Sequence, residues 1–279
     1  MNSKNFIYKS SNYTYIIQGM ITTSLGLLLP HMMVTYSLDY AQGGSMIFFL
    51  LIGGVISASY GGALINRTGE KLLVILGALL IMFGYGVVIF AQSIALVYIM
   101  FFIVGTGTGF YNIALNTLIA RISGSDPRKL SKLHMFFAVG ALLATFIISG
   151  ISSFNLSWKM FLYVMIAMNL VTVLLFTKTD ILSSGKKEKN HKMDLSFFRK
   201  PDIYIFTAML FFYVGAETAV NGWVVTFINE GQIIAASDSG YVLSVLWGLV
   251  ILGRFLNQKI SSAVSLEARL LLCSVLILF

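Results

Sequence analysis

The chain has one cysteine, Cys273, which excludes a disulfide framework and a cysteine-rich metal site. Charge is scarce too. Asp, Glu, Lys and Arg make up 11% of the residues, against about 25% in soluble domains, so water is not the main solvent of this chain. Three prolines stand beside 25 glycines, a balance that suits membrane helices, where small residues allow close packing. No paired-carboxylate site, His-x-x-x-His ligand pair or nucleophile elbow occurs. The reading is therefore not an enzyme, with no cofactor and no metal.

What is present is apolar, 57% of the residues, and it falls into long runs. A helix needs roughly 20 residues to cross a ~30 Å hydrocarbon core. Eight runs qualify, at about 13–36, 44–65, 72–92, 94–120, 132–152, 158–177, 203–229 and 238–257. The first exceeds the ~7–15 residues of a signal-peptide core and reads as a retained span. A ninth run starts at about Leu270 and stops ten residues later, at 279, so the expectation is a chain truncated in helix 9. The fold class expected is all-α, a polytopic membrane bundle of about eight full spans and a partial ninth.

The polar, lysine-rich segment 178–202 separates six helices from the rest. It divides the chain into a six-helix half, 1–177, a basic central loop, 178–202, and an incomplete second half, 203–279. With a cytoplasmic N-terminus, all 19 Lys and Arg except Lys159 fall in inner segments, as the positive-inside rule requires. Topology thus accounts for the net charge of +8 and removes a nucleic-acid reading. The lysine run 186–192 is a solvated topology signal.

Of the eleven acidic residues, Glu217 alone sits near the centre of a span. A charge at mid-membrane costs at least ~2.5–3.5 kcal/mol. Asn221 and Tyr213 lie at i±4 and share its face. Such a face suits the bundle interior, where the carboxylate binds a proton or a sugar hydroxyl. The alternative is a protonated glutamate tied to a neighbouring helix for packing alone. Asn112 and Asn116, also at i, i+4, present paired donors and acceptors suited to a polyol. The same stripe carries Gly105 and Gly109, whose spacing equally suits helix packing. Gln18 and Thr22 share a face of the first span, near whose outer end stand Pro30 and His31. Trp223 is a candidate for stacking on a sugar ring or for anchoring at the interface. His134 is a titratable group near neutral pH and, with Glu217, a candidate for proton coupling. "GTGTGF" lies inside a span, not between a strand and a helix, so it is no nucleotide loop.

Between the second and third spans stands "GGALINRTGEKLL", residues 61–73. It resembles the Gly-x-Leu-Ala-Asp-Arg-x-Gly-Arg-Lys signature of the major facilitator superfamily. Gly61, Arg67, Gly69 and Lys71 match; Asn66 stands for the aspartate and Glu70 for a basic residue. Gly253 and Arg254 sit at the equivalent point of the second half, a weak echo that parallel repeats would give. The stretches "GTGTGFYNIALNTLIARI" and "GAETAVNGWVVTFI" are similar to the sugar-transporting branch that includes fucose permease.

The resemblance implies twelve helices, transport of small solutes by alternating access, and gating by the signature residues. In fucose-permease-like proteins, proton coupling is attributed to carboxylates in helices 1 and 4, which this sequence lacks. The fifth span has no Gly-Pro motif of the kind drug exporters show. The expected function is transport of a sugar or polyol, with a proton as candidate co-substrate, by a multi-pass protein of the plasma membrane. Its partners are a small-molecule solute and the lipid bilayer. Two alternatives stand: a drug or metabolite exporter, and a truncated, non-transporting membrane protein.

Overall fold

The computed structural model describes residues 3–179, 201–232, 234, 238–260, 265, 268 and 271. Eight helices follow in order: α1 Ser3–Tyr36, α2 Tyr40–Thr68, α3 Glu70–Phe90, α4 Ile94–Ser123, α5 Pro127–Ser153, α6 Lys159–Thr177, α7 Pro201–Glu230 and α8 Ser239–Ile260. The basic run 186–192 lies outside the described residues, as does the ninth apolar run apart from Leu271.

Among the described residues, seven helices are long and apolar enough to cross a membrane. The eighth, α8, has 22 residues, of which Ser239–Gly253 form a shorter apolar stretch. All eight fall where hydropathy places them. The largest departure is α1, which begins about ten residues before the expected start. Hydropathy marks only the hydrocarbon-deep part of a helix. "SKNFIYKSSN" contains no helix breaker, so the backbone bonds continue past it.

The joints are locally encoded. Asp39 caps α2 through a reciprocal capping box with Gln42, and Pro127 opens α5 behind the cap residue Asp126. Gly69 ends α2 at φ +80°, with its N–H donating to Ile65 O at 2.8 Å. A side chain there would be strained.

Polarity is turned inside out relative to a soluble domain. Buried positions include Ser10, Ser11, Thr14, Gln18, Thr145, Asn169 and Thr172, while Phe83, Phe90, Phe146 and Leu174 face outward. An apolar exterior of this kind calls for lipid. Helix α1 is central, packing on α4, α5, α6 and α7. Helix α4 lies between α2 and α3, α3 also meets α6, and α8 packs on α5. The α2–α4 crossing is close enough that a Cβ on Gly105 would come within 1.9 Å of Leu50 O.

Candidate functional site

Three adjoining cavities run along the seam between α1, α2, α4 and α7. The first, about 220 Å³, is bordered by Thr22, Gly26, Phe137, Glu217 and Asn221. The second, about 270 Å³, is bordered by Gln18, Thr22, Thr108 and Asn112, and shares Thr22, Leu50 and Leu51 with the first. The third, about 490 Å³ and mostly apolar, lies between α2 and α7 and includes Phe211, Thr218 and Trp223.

Six of the eight expected solute-binding residues therefore border one or more of these three cavities: Glu217, Asn221, Asn112, Gln18, Thr22 and Trp223. Asn116 stands behind Asn112, donating from Nδ2 to Asn112 Oδ1 at 2.7 Å and to Tyr15 Oη at 2.6 Å. Tyr213 is exposed and borders none of the three cavities. One helical turn separates it from Glu217, yet the nearby α7 residues that border a cavity are Phe211 and Val214, not Tyr213.

The side chains differ in how far their bonding capacity is met. Asn221 is a bridge: its Oδ1 accepts from Trp247 Nε1 at 3.1 Å and its Nδ2 donates to Glu217 O at 2.8 Å. The Glu217 carboxylate is half-buried and has no hydrogen bond or ion pair with a described residue. Gln18 is 5% exposed, and its Oε1 has no partner among the described residues. Thr22 Oγ1 donates back to Gln18 O at 3.0 Å, the ordinary helix back-bond. Trp223 lies on Gly43 and Gly44, with its ring 6.1 Å from Tyr40. It packs α7 on α2 and borders the third cavity rather than the first. His134 is exposed and meets the Tyr15 ring edge-on at 5.3 Å.

Contacts at and around the seam join α2 to α7 and α5 to α8. Tyr40 Oη donates to Glu230, Thr145 and Ser244 hydroxyls meet, and Phe137 packs on Trp247 at 5.8 Å. A Cβ on Gly26 would overlap Asn221 O, so α1 and α7 touch at backbone distance there. Toward the start of α7, residues 204–213 are exposed. Arg67 and Arg121 stand at the end of the bundle where α2 and α4 terminate.

The signature residues hold that end together within α2–α6. Glu70, 1% exposed, takes a two-pronged ion pair from Arg121, with Nε to Oε1 at 2.9 Å and Nη2 to Oε2 at 3.1 Å. Lys71 Nζ donates to Thr177 O and Thr179 O at 3.0 and 2.9 Å, a cation at a helix C-terminus. Gly61 packs on Ile113. Asn66 and Arg67 are exposed and bond to no described residue. Gly253 is exposed, and the Arg254 side chain lies outside the described residues.

Sequence reasoning missed three contributors. Tyr15 shares the i, i+3, i+7 face of Gln18 and Thr22, a signal that was present. Trp247 and the Glu70–Arg121 pair needed the tertiary contacts, because nothing local tells which helix lies opposite.

A family model of the Major Facilitator Superfamily matches residues 13–279. The glucose/galactose transporter of Brucella abortus biovar 1 (strain 9-941) is 23% identical, over 92% of this chain and 68% of that protein. Among solved structures, a D-xylose-proton symporter superposes with a TM-score of 0.71 at 13% identity, over 94% of this chain and 70% of the other. The nucleoside transporter NupG gives 0.67 at 18% identity, over 93% and 66%. The chain spans about two thirds of the length of these proteins. At such identities the structural likenesses bear on the fold.

Proposed function

The chain belongs to the major facilitator superfamily, and from that premise we propose that it carries a sugar or related polyol across the plasma membrane by alternating access, driven by a proton. Segments 1–177 and 203–279 act as the two moving parts, joined by a cytoplasmic loop at 178–202. The N-terminus is cytoplasmic.

One observation carries the reading: the Glu217 carboxylate, at mid-span, borders a cavity of about 220 Å³ and has no partner among the described residues. An unpaired carboxylate at that depth is costly. A proton or a solute hydroxyl removes the cost. Asn112, Gln18 and Thr22 supply further polar groups along the same wall. The likeness to the Brucella glucose/galactose transporter supports a hexose as the first solute to try.

The test is uptake of labelled D-galactose or D-glucose by vesicles containing this chain. Uptake is expected to saturate and to accelerate under an inward proton gradient. Glu217→Gln is expected to lose the response to the gradient while retaining exchange between sugar pools. No flux in the unmodified chain sinks the proposal. The apolar third cavity, with Phe211 and Trp223, favours one second reading, export of a bulky apolar cation. In that case Glu217→Gln abolishes cation binding, and sugars do not compete with it.

A further inference from the structure

Five exposed cations gather where α1 and α5 begin: Lys4 and Lys9 on α1, and Arg128, Lys129 and Lys132 on α5. The two groups are far apart in sequence and meet at one contact. There Lys129 Nζ stands 5.2 Å from the centre of the Tyr8 ring, a cation–π pair. Lys4 is one turn from Tyr8 on the same face of α1, Lys9 is its neighbour, and Lys132 is one turn from Lys129. Lys9 and Arg128 each precede the start of their apolar run, at 13 and 132, by about 6 Å of helix, which is the depth of the lipid headgroups. The start of α1 is anchored there, with Ile7, Ser10 and Ser11 buried. None of the five cations has an acidic partner among the described residues. Asp126, the acid nearest in sequence on α5, is the helix cap and accepts from Arg128 N at 2.9 Å. Two other cations at this end are spent inside the protein, Arg121 on Glu70 and Lys71 on the carbonyls of Thr177 and Thr179. The positive-inside rule asks only for cations on one side of the membrane. It does not ask them to gather over one helix contact.

We propose that this patch binds the headgroup of an anionic phospholipid, in the leaflet at the α1 N-terminus, and that the lipid clamps α1 to α5. The inference goes beyond the solute reading and does not depend on it. Without a counter-ion the five charges repel one another across the α1–α5 contact. A phosphate diester between Lys9 and Lys129 removes that repulsion. The depth of the patch favours a lipid over a soluble anion, because headgroup phosphates are already concentrated there and each cation near an anionic surface adds to the attraction. Tyr8 is the kind of aromatic residue that sits at this boundary. The clamp bears on the seam, since α1 carries Gln18 and Thr22 and α5 carries Phe137.

The test places the full chain in nanodiscs of equal parts phosphatidylcholine and phosphatidylglycerol and identifies by mass spectrometry the lipids it retains on release. The unmodified chain is expected to retain phosphatidylglycerol about tenfold over phosphatidylcholine, and less so in about 0.5 M salt. Lys9→Gln with Lys129→Gln should bring the ratio close to one. Arg67→Gln with Lys178→Gln removes the same charge away from the patch and should leave the ratio at the parent value. If the first pair does not fold, Lys4→Gln with Lys132→Gln takes its place with the same expected loss. Equal retention of the two lipids by the unmodified chain overturns the proposal. Equal losses in the patch and control pairs also overturn it, because net charge alone would then be the cause. Displacement of the lipid by about 10 mM inorganic phosphate, against an expected lack of effect, reassigns the patch to soluble anions and overturns the lipid. No sugar is present, so none of these outcomes bears on the solute site.

Discussion

At the contact of α4 with α6, Tyr111 donates to Asn169 Oδ1 at 2.6 Å and Asn169 Nδ2 donates to Met165 O at 2.7 Å, with both side chains fully buried. Along the seam of α1, α2 and α4 with α7, the polar groups are as deep in the span but end differently. The Glu217 carboxylate, Asn112 Nδ2 and Gln18 Oε1 have no partner among the described residues. The first region spends its polar groups on the fold. In the second, no described residue takes them up, which is what the proposed solute site requires. A polar residue in a span thus carries no functional meaning by itself; what matters is whether its neighbours already satisfy it.

The comparison can be broken from either side. The largest effect is expected at the seam: Glu217→Gln should lower gradient-driven uptake by about 10–100-fold, the worth of one bond to a charged group. Its thermal unfolding midpoint should stay within error of the parent. Loss of fold instead would move Glu217 into the structural class. Next comes the helix contact beside the cavity. Gly105→Ala sets a Cβ 1.9 Å from Leu50 O, backbone that cannot step aside, so destabilisation at the upper end of about 1–3 kcal/mol is expected in denaturant titration.

At the α4–α6 contact, Asn169→Ala strands the Tyr111 hydroxyl. It should cost about 1–2 kcal/mol of stability, while sugar affinity per folded molecule stays at the parent value. A shifted affinity would show that the two regions are one network. Smallest is Gly62→Ala, on the open face of α2 with nothing within 4 Å. It should change neither uptake nor folding, apart from a gain of about 0.5–1 kcal/mol in helix stability.

The α4 stripe shows how far the residue pattern carried. Gly105, Gly109, Asn112 and Asn116 read as either a packing seam or a binding face, and the structure divides them. Gly105 and Gly109 press on α2 against Leu50, Gly54 and Ser57, Gly109 also borders the second cavity with Asn112, and Asn116 borders none of the three. A helical period of 3.6 residues drifts enough over eleven positions to split one stripe between two neighbours. Glu217 was legible because one charge in a long apolar run is conspicuous. Its partner expectations were not: Tyr213 shares its face on a helical wheel but is exposed and borders none of the three cavities. Asn221, expected as a ligand contact, is largely committed to Trp247 and to the α7 backbone.

Hydropathy and charge placement determined by themselves that this chain crosses the membrane repeatedly, where each helix lies, and which residue sits uncomfortably inside. Those properties are local, since each residue partitions between water and lipid largely on its own account. Only the tertiary structure decided which polar groups are already paired. That depends on which helix stands opposite, at what depth and in what rotation. The 2.6 Å bond between Asn116 and Tyr15 joins residues 101 positions apart, and no local pattern specifies such a meeting.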